Sequence, residues 1–447
     1  MREKLGSRFG FLMVAAGCAV GLGNVWRFPF VTGQNGGAAF VLVYLFFLAI
    51  LGFPLLVAEL SLGRGSRRSV SRAFAKLDRG RRRKFWRWTG MTIFAGNFLL
   101  MIYYTDVAGW LVKYAAGYLF QGASAANGHP AAADAFSALL ADKPTCTMYM
   151  LGTVAAATAT CFAGVVKGVE RITKFLMVSL LILLVFLAAK AVSLPNASEG
   201  LAFYLYPDWA RFMEHPWRGM MEAMGQAFFT LSLGIGCMMV FGSYIKRENT
   251  LAKEAATIIV IDTLVALLSG LVIFPACYSC GIEPSCGPGL IFTALPEVFA
   301  RLPGGRLWGF CFFLFLAFAA LTTIITVFEC LISGLNDEVR RRGNKLKRRK
   351  RIAVLVGVAV AAASMPCVLV DGVLACEDFA VSQLWLPLGA LVQCIFVTWP
   401  FGWSWKNFLV EANSGSGMKL PDFLRWHYSF VIPLLIAAVI IAGLVAK

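Results

Sequence analysis

Charge and histidine are both scarce in this sequence. Only 15% of its 447 residues are charged, and it contains three histidines. An enzyme active site would need a paired nucleophile and base, a metal cluster or a cofactor loop. We recognise none of these in the sequence. We therefore predict no catalytic residues, and an integral-membrane enzyme is a remote alternative.

The twelve cysteines do not form a metal-binding pattern either. Most lie inside apolar runs, where cysteine behaves as a small apolar residue. Cys277, Cys280 and Cys286 are closer together, but no histidine lies near them to complete a zinc site. If this segment is outside the cell, Cys280 and Cys286 are placed to form a disulfide, and the sequence leaves that pairing open.

Long apolar runs dominate the chain instead. Hydrophobic residues make up 59% of it, and the mean hydropathy is +0.73. A helix that crosses a bilayer needs about 20 apolar residues, and we count about eleven such runs. We predict an all-α integral membrane protein that forms a single domain over residues 1–447. The predicted spans are 9–33, 39–63, 88–120, 146–165, 174–194, 218–245, 254–277, 306–337, 352–370, 379–401 and 425–446.

The net charge of +17 is concentrated in two segments between predicted spans, Arg64–Arg87 and Arg340–Arg351. Short basic loops stay on the cytoplasmic side during insertion. The charge therefore indicates topology rather than nucleic-acid binding, and contact with anionic lipid is a compatible addition. We expect residues 1–8 and the amino terminus inside, and the carboxy terminus outside. The outer segment 278–305 is expected to contain a capping or re-entrant helix.

Two predicted spans contain clustered glycines that weaken a helix. The first has Gly17, Gly21 and Gly23, and the sixth has similar residues over Gly225–Gly236. In lipid, an opened turn is tolerated only where it lines a cavity or is buried in protein. Helix packing through small residues is the alternative explanation. Arg27, an ionisable residue in the first span, and the second interrupted span favour a transport site at the membrane midplane.

These motifs resemble those of the neurotransmitter:sodium symporter family. The resemblance is carried by Ser7–Gly10, Ala19–Pro29, Asn35–Gly37, Phe229–Gly234 and Gly287–Gly289. It covers essentially the whole chain, and eleven spans are typical of the bacterial amino-acid branch. It implies an inverted repeat with unwound spans 1 and 6. The first repeat would cover residues 9–194, the second 218–401, and an extra span 425–446.

The resemblance also implies two sodium sites built from oxygen ligands, which a hard cation prefers. The first would use the Ala19 carbonyl, Asn24, Thr230, Asp262 and the substrate carboxylate. The second would use the carbonyls of Gly17, Val20 and Ala319 with the hydroxyls of Thr322 and Thr323. No lysine stands at the second site to replace the ion, which favours sodium coupling.

An amino-acid site follows from the same resemblance. The substrate carboxylate would meet the amides of Leu22 and Gly23 and the Tyr104 hydroxyl. The ammonium would meet Ser232 and the carbonyls around Cys18, Ala19, Phe229 and Thr230. The side-chain pocket would be Leu100, Phe229, Ser232, Ile235, Thr323 and Val327. This apolar lining implies an aliphatic or aromatic amino acid, and Gly21 stands where monoamine carriers have Asp.

Gates and chloride dependence complete the implied mechanism. Arg27 and Asp378 resemble the outer gate pair, with Gln226 expected to hold Arg27, and Phe229 and Tyr104 closing over the ligand. Arg2 and Asp337 resemble the inner pair, although Leu5 replaces the usual Trp. Many family members have Asn at Asp262, and chloride-dependent ones have Ser where this chain has Ala266. We therefore expect no chloride requirement; alternatively, Asp262 titrates or only pairs within the bundle.

The sequence thus predicts a sodium-coupled importer of a hydrophobic amino acid that works by alternating access. Its expected location is the bacterial inner membrane. A sodium-dependent amino-acid sensor built on a transporter scaffold is the alternative. The sequence leaves the oligomeric state open.

Overall fold

The protein is almost entirely helical where the structure, a computed structural model, describes it. The described residues are 5–78, 82–120, 132–282, 290–339 and 345–445. Within them, β-structure is limited to two isolated bridges, Gly37–Pro207 and Asn249–Ser416. The predicted all-α membrane class is therefore confirmed. Arg2, Cys286 and the Gly287–Gly289 motif lie outside the described residues, as does the predicted Cys280–Cys286 disulfide.

The helices are numbered in chain order. They are α1 Arg8–Ala19, α2 Gly23–Gln34, α3 Ala38–Ser66, α4 Val70–Leu77, α5 Arg83–Phe120, α6 Ala132–Ala141, α7 Lys143–Phe162, α8 Val165–Val192, α9 Ala197–Leu205, α10 Trp209–Glu214, α11 Pro216–Thr230, α12 Cys237–Gly242, α13 Leu251–Ser279, α14 Leu295–Arg301 after a π-helical turn Leu290–Ala294, α15 Gly305–Glu338, α16 Lys345–Leu369, α17 Val373–Thr398, α18 Trp405–Ala412 and α19 Leu424–Val445.

Nine helices in the described residues are long and apolar enough to cross a membrane, and the bent pair α1–α2 makes a tenth. The predicted sixth span, 218–245, is divided between α11 and α12 by the segment Leu231–Gly236. Neither half reaches the length of a full span, because the chain leaves helical geometry between them.

Several segments between the predicted spans are helical. Residues 166–173 form the first part of α8, and residues 195–217 hold α9 and α10. Residues 402–424 contain α18, and 371–378 overlap the start of α17. Apolar length marks only the part of a helix that lies in the membrane, and a helix can continue past the apolar layer into water. Gly164, at φ 102°, marks the turn before α8.

A buried arginine joins the end of α3 to α18. Arg64 is fully buried at the end of α3, and its Nε donates to Glu411 of α18 at 2.8 Å. Its other nitrogens donate to the carbonyls of Asn249 at 2.8 Å and Ser414 at 3.2 Å. Arg247 pairs with the same Glu411 at 2.5 Å. The charge is tolerated because each of the three guanidinium nitrogens donates to an oxygen and Glu411 supplies the opposite charge. These bonds fix the segment after α17 to the core.

The two broken helices occupy the centre of this bundle. α1 packs against α15, α13 and α8, while α5 and α15 pack against each other. Close contact between α3 and α12 depends on glycine: a Cβ at Gly63 would lie 1.9 Å from the Met239 carbonyl oxygen. The surrounding long helices therefore enclose both breaks in protein.

Candidate functional site

The first helix breaks between Ala19 and Gly23. α1 ends with Val20 in extended geometry, at φ −65° and ψ 102°, and α2 leaves at an angle of 55°. Side chains take up two of the freed amides. The Gly21 N–H donates to the Asn24 Oδ1 at 3.2 Å, and the Leu22 N–H donates to the Tyr104 hydroxyl at 3.1 Å.

The second break, Leu231–Gly236, has left-handed backbone at three positions. Gly234 and Gly236 adopt φ values of 96° and 79°, which glycine allows without steric cost. Ser232 has φ 49°, a conformation that costs a side-chain-bearing residue roughly 1–2 kcal/mol. Its hydroxyl donates to the Cys18 carbonyl at 3.1 Å. This bond joins the two breaks and offsets the strain.

One cluster of polar groups lies between the first break, α11 and α13. Asn24, Thr230 and Asp262 are each fully buried. The Asn24 Nδ2 donates to the Asp262 Oδ1 at 2.9 Å and to its carbonyl at 3.1 Å. The Thr230 hydroxyl donates to the Asp262 Oδ2 at 2.8 Å. Three of the four residues predicted for the first sodium site therefore meet at one point. The fourth, Ala19, is the last residue of α1, at the first break.

A second cluster joins the first break to α15. The Thr323 hydroxyl lies 3.4 Å from the Gly17 carbonyl oxygen and 3.3 Å from the carbonyl oxygens of Val20 and Ala319. Thr322 donates to the Ala319 carbonyl at 2.8 Å. One hydroxyl proton can serve only one of these acceptors at a time. The five predicted residues of the second site thus gather around a surplus of oxygen acceptors, a donor set that suits a sodium ion.

The predicted substrate pocket lies beside both clusters. Leu100, Tyr104, Ile235 and Val327 are buried, and Phe229 is partly buried. Tyr104 follows Leu100 by one turn of α5, and Val327 follows Thr323 by one turn of α15, so each pair lies on one helix face.

Gly21 fits between the Tyr104 and Thr323 side chains only because glycine has no side chain. A Cβ there would lie 2.7 Å from the Tyr104 hydroxyl and 2.8 Å from the Thr323 Oγ1. A Cβ at Gly23 would lie 2.8 Å from the Phe229 ring. The break is therefore in van der Waals contact with its surroundings.

The predicted outer gate is not joined in this structure. The Arg27 guanidinium lies over the Phe229 ring at 5.0 Å. Asp378 and Glu222 act on its charge, but no carboxylate oxygen of the described residues lies within 4 Å of it. The Gln226 Nε2 donates to the Gly23 carbonyl at 2.8 Å. Its Oε1, the atom that would accept a hydrogen bond from Arg27, has no partner among the described residues, so the contact between Gln226 and Arg27 stays a prediction.

On the side of the site where Trp26 and Arg27 lie, the π-helical turn before α14 packs over the first break. Phe292 contacts Trp26 and Trp110 edge-on, at centroid distances of 6.0 and 5.9 Å. It also stacks on Phe136 of α6 at 4.7 Å. The expected capping element in 278–305 therefore exists within its described part.

At the opposite end, Asp337 binds the segment between α3 and α4. Its Oδ2 accepts from the Ser69 N–H and from the Ser69 hydroxyl, each at 2.8 Å. Its Oδ1 accepts from Arg68 at 3.3 Å. Leu5, where the family usually has Trp, packs partly buried against the core. Sequence reasoning missed Arg68 and Ser69 as Asp337 partners because they lie far from it in the chain.

Sequence reasoning also missed Glu59 of α3, which supports the second break. The fully buried Glu59 Oε1 accepts from the Gly236 N–H at 2.8 Å and from the Gln393 Nε2 at 2.8 Å. The available signal was a carboxylate inside a predicted span, since such a residue has to find a partner.

Sequence reasoning also missed two buried carboxylates, Glu170 and Glu329, at the end of the bundle where α1 begins. Glu170 of α8 accepts from the Gly6 N–H at 2.7 Å and from the Ser7 hydroxyl at 3.2 Å, just before α1 begins. Glu329 of α15 binds the buried Arg349 and accepts from the Tyr244 hydroxyl at 2.8 Å. Glu170 falls between two predicted spans, and the sequence alone does not show that it lies next to the start of α1.

Two interrupted helices, crossing side by side in a bundle of long apolar helices and lined with carbonyls and hydroxyls, define a secondary transporter. The chain belongs to the sodium:neurotransmitter symporter family, whose model matches residues 2–125 and 134–447. It is therefore a multi-pass membrane transporter of a sodium-dependent family and not an enzyme. The resemblance noted from the motifs is confirmed.

The similar proteins span bacteria and animals. An uncharacterised sodium-dependent transporter of Bacillus subtilis is 35% identical, with 97% of this chain and 96% of that protein covered. One of Haemophilus influenzae is 32% identical, with 99% and 98% covered. The sodium-dependent serotonin transporter of Drosophila melanogaster is 28% identical, with 98% and 76% covered.

The fold is also that of a solved structure. The crystal structure of MhsT in complex with L-phenylalanine matches with a TM-score of 0.86 and 33% sequence identity. The match covers 99% of this chain and 100% of that one.

Gly21→Ala should abolish the stabilisation that sodium provides, because the added methyl group would contact both Tyr104 and Thr323. Sodium at about ten times its dissociation constant should stabilise the wild type by about 1.4 kcal/mol. The measurement is the melting temperature of the purified protein in sodium against potassium chloride. Gly152→Ala is the control, since its Cβ would meet no atom within 4 Å. An unchanged sodium effect in Gly21→Ala would contradict the assignment.

Proposed function

We propose that this protein is a sodium-coupled symporter that imports a hydrophobic amino acid, aliphatic or aromatic, by alternating access. The observation that carries the proposal is the lack of space at Gly21. A side chain there would collide with Tyr104 and Thr323, so the protein has no room for a carboxylate that would neutralise an amine. The substrate has to bring its own carboxylate, as an amino acid does.

Two sodium sites follow in the proposal. The Ala19 carbonyl, Asn24, Thr230 and Asp262 would hold one ion together with the substrate carboxylate. The carbonyls of Gly17, Val20 and Ala319 would hold the other with Thr322 and Thr323. The support is geometric. The Thr230 and Asp262 side-chain oxygens lie 2.8 Å apart beside the Asn24 amide, and the Thr323 hydroxyl lies within 3.4 Å of the Gly17, Val20 and Ala319 carbonyl oxygens. Sodium moving down its gradient would drive uptake, and the membrane potential adds about 2.3 kcal/mol per charge per 100 mV.

Substrate binding would replace one hydrogen bond of the site. The Leu22 N–H donates to the Tyr104 hydroxyl, so both groups already point toward the same space. A substrate carboxylate inserted there would accept from Tyr104 and from the amides of Leu22 and Gly23, at the start of α2, where helix geometry favours an anion. The ammonium would meet Ser232 and the carbonyls of Cys18, Ala19, Phe229 and Thr230.

The side chain of the substrate would lie among Leu100, Phe229, Ser232, Ile235, Thr323 and Val327. Most of this lining is apolar and buried, which favours an apolar side chain. MhsT, which shares the fold at 33% identity, was crystallised with L-phenylalanine. An aromatic amino acid is therefore the first substrate to test.

Alternating access would be controlled at both ends. At the outer end, Arg27 and Asp378 would form an ion pair when the substrate is bound, while Phe229 and Tyr104 close over it. At the inner end, Asp337 would pair with Arg2 in addition to its bonds to Arg68 and Ser69. Ion pairs suit this role because breaking one costs only about 0–1 kcal/mol once water enters beside it.

The same proposal places the protein in the bacterial inner membrane, with its amino terminus inside and its carboxy terminus outside. The basic segments Arg64–Arg87 and Arg340–Arg351 would then lie in the cytoplasm.

Proteoliposomes with an inward sodium gradient should accumulate labelled phenylalanine or leucine. Uptake should stop when potassium replaces sodium, because the coupling ions are absent. A competing panel of amino acids should rank hydrophobic ones above charged ones, and serotonin should not compete. Binding without uptake would instead favour a sensor built on the transporter scaffold. Competition by charged amino acids alone would contradict the hydrophobic pocket.

Chloride should not be required, because Asp262 would supply a fixed negative charge next to the first sodium ion. Replacing chloride with gluconate should change uptake less than twofold, about 0.4 kcal/mol. Asp262→Asn should lower the apparent sodium affinity, and Asp106→Asn, another buried carboxylate outside the cluster, is the control. A severalfold fall of wild-type uptake in gluconate would disprove chloride independence.

Asp378→Ala should lower the uptake rate about tenfold while it changes substrate binding less than about threefold, because the gate acts after binding. The measurements are initial uptake rates in proteoliposomes and equilibrium binding in detergent. Asp371→Ala is the matched control, since that carboxylate is exposed and pairs only with Lys143 in the described structure. Equal uptake rates for the Asp378 variant and the wild type would remove Asp378 from the gate.

A further inference from the structure

A basic groove lies between α4 and the first turns of α5. It has a volume of about 420 Å³. Its lining is Arg68, Arg72, Ala75, Lys76, Arg83, Lys84 and Arg87. We call this set of residues the basic groove. None of them takes part in the proposed sodium or amino-acid sites.

Among the described residues, the cations that line the basic groove outnumber the carboxylates shown to pair with them. Six cationic side chains line it. Two carboxylates at the end of α15 pair with three of them: Asp337 with Arg68 at 3.3 Å, and Glu338 with Arg72 at 2.9 Å and Arg87 at 3.0 Å. These pairs form one wall and leave an excess of cations.

Arg83 and Lys84 are the unneutralised part. Both are exposed, and no carboxylate of the described residues lies within 4 Å of either. Lys76 donates to the Ser66 carbonyl at 2.5 Å, which orders its ammonium at the edge of the basic groove. An anion entering the basic groove would therefore gain charge-assisted hydrogen bonds without first displacing a carboxylate.

Apolar side chains flank the basic groove on the same helix. Phe85 is 61% exposed and Trp88 is 75% exposed, whereas Trp86 between them is buried. Exposed aromatic residues at the end of a membrane-spanning helix are typical of the headgroup region of a bilayer. α5 has 38 residues, so at about 1.5 Å per residue it exceeds the roughly 30 Å apolar layer, and its first turns reach that region.

We propose that the basic groove binds the phosphate headgroup of an anionic phospholipid, whose acyl chains lie along Phe85 and Trp88. Charge complementarity favours a lipid with net negative charge over a zwitterionic one. The adjoining membrane-facing aromatic residues favour a lipid over a free phosphate ion, which would gain nothing from them. The proposal requires that the chain spans a membrane but not that its substrate is an amino acid.

The probe is dioctanoyl phosphatidylglycerol, titrated into the purified full-length protein in a neutral detergent and followed by microscale thermophoresis. We expect saturable binding that weakens as salt rises, because the contacts are electrostatic. Dioctanoyl phosphatidylcholine and inorganic phosphate should each bind at least about fivefold more weakly.

The test variant is Arg83→Gln with Lys84→Gln, which should weaken phosphatidylglycerol binding at least about fivefold. Lys406→Gln with Lys419→Gln is the matched control, because it removes the same charge from two exposed lysines elsewhere. Arg83→Lys with Lys84→Arg keeps the charge and should bind like the wild type. Melting temperatures verify that each variant is folded.

Three results would overturn the proposal. Equal affinity for phosphatidylglycerol and phosphatidylcholine would show an unspecific detergent-like contact. Equal weakening in both Gln double variants would show an effect of net charge alone. Inorganic phosphate that binds as tightly as phosphatidylglycerol would show an ordinary anion site without a lipid.

Discussion

The backbone groups released at the two helix breaks are the constraint on which the rest of the structure depends. In an apolar surround, each unpaired amide or carbonyl costs free energy, so a break persists only where protein groups supply partners. Tyr104 and Asn24 serve the first break, Glu59 serves the second, and Ser232 joins the two. The buried side chains that supply these partners therefore stabilise the two breaks.

The oxygen acceptors at the breaks that outnumber their donors are as informative as the groups that are paired. Around Thr323, three carbonyl oxygens compete for one hydroxyl proton, so acceptors outnumber donors. Around Asp262, a neutral amide and a neutral hydroxyl are the donors found for a buried carboxylate. Both places would gain from a bound cation, which is why the sodium proposal follows from the geometry as well as from the family.

The two ends of the bundle are held differently. At the amino-terminal end, Asp337 and Glu338 bind α4 and its preceding turn, and Glu329 binds a buried arginine. At the other end, Arg27 rests on the Phe229 ring, and Phe292 covers it through aromatic contacts. The contacts that close the site therefore differ in kind: aromatic rings surround Arg27, and ion pairs and hydrogen bonds hold Asp337 and Glu338.

The sequence by itself determined the membrane class, the position of both breaks and the family. These depend on local properties: apolar length, clustered glycines and motifs read in order. The resemblance to the family also implied which residues meet at the two clusters, although their roles as ligands stay predictions. Only the tertiary structure decided that Gln226 donates to the Gly23 carbonyl, that Glu59 supports the second break, and that residues 166–173 are helical. Each of these depends on which groups a three-dimensional neighbour offers, and distance along the chain carries no information about that.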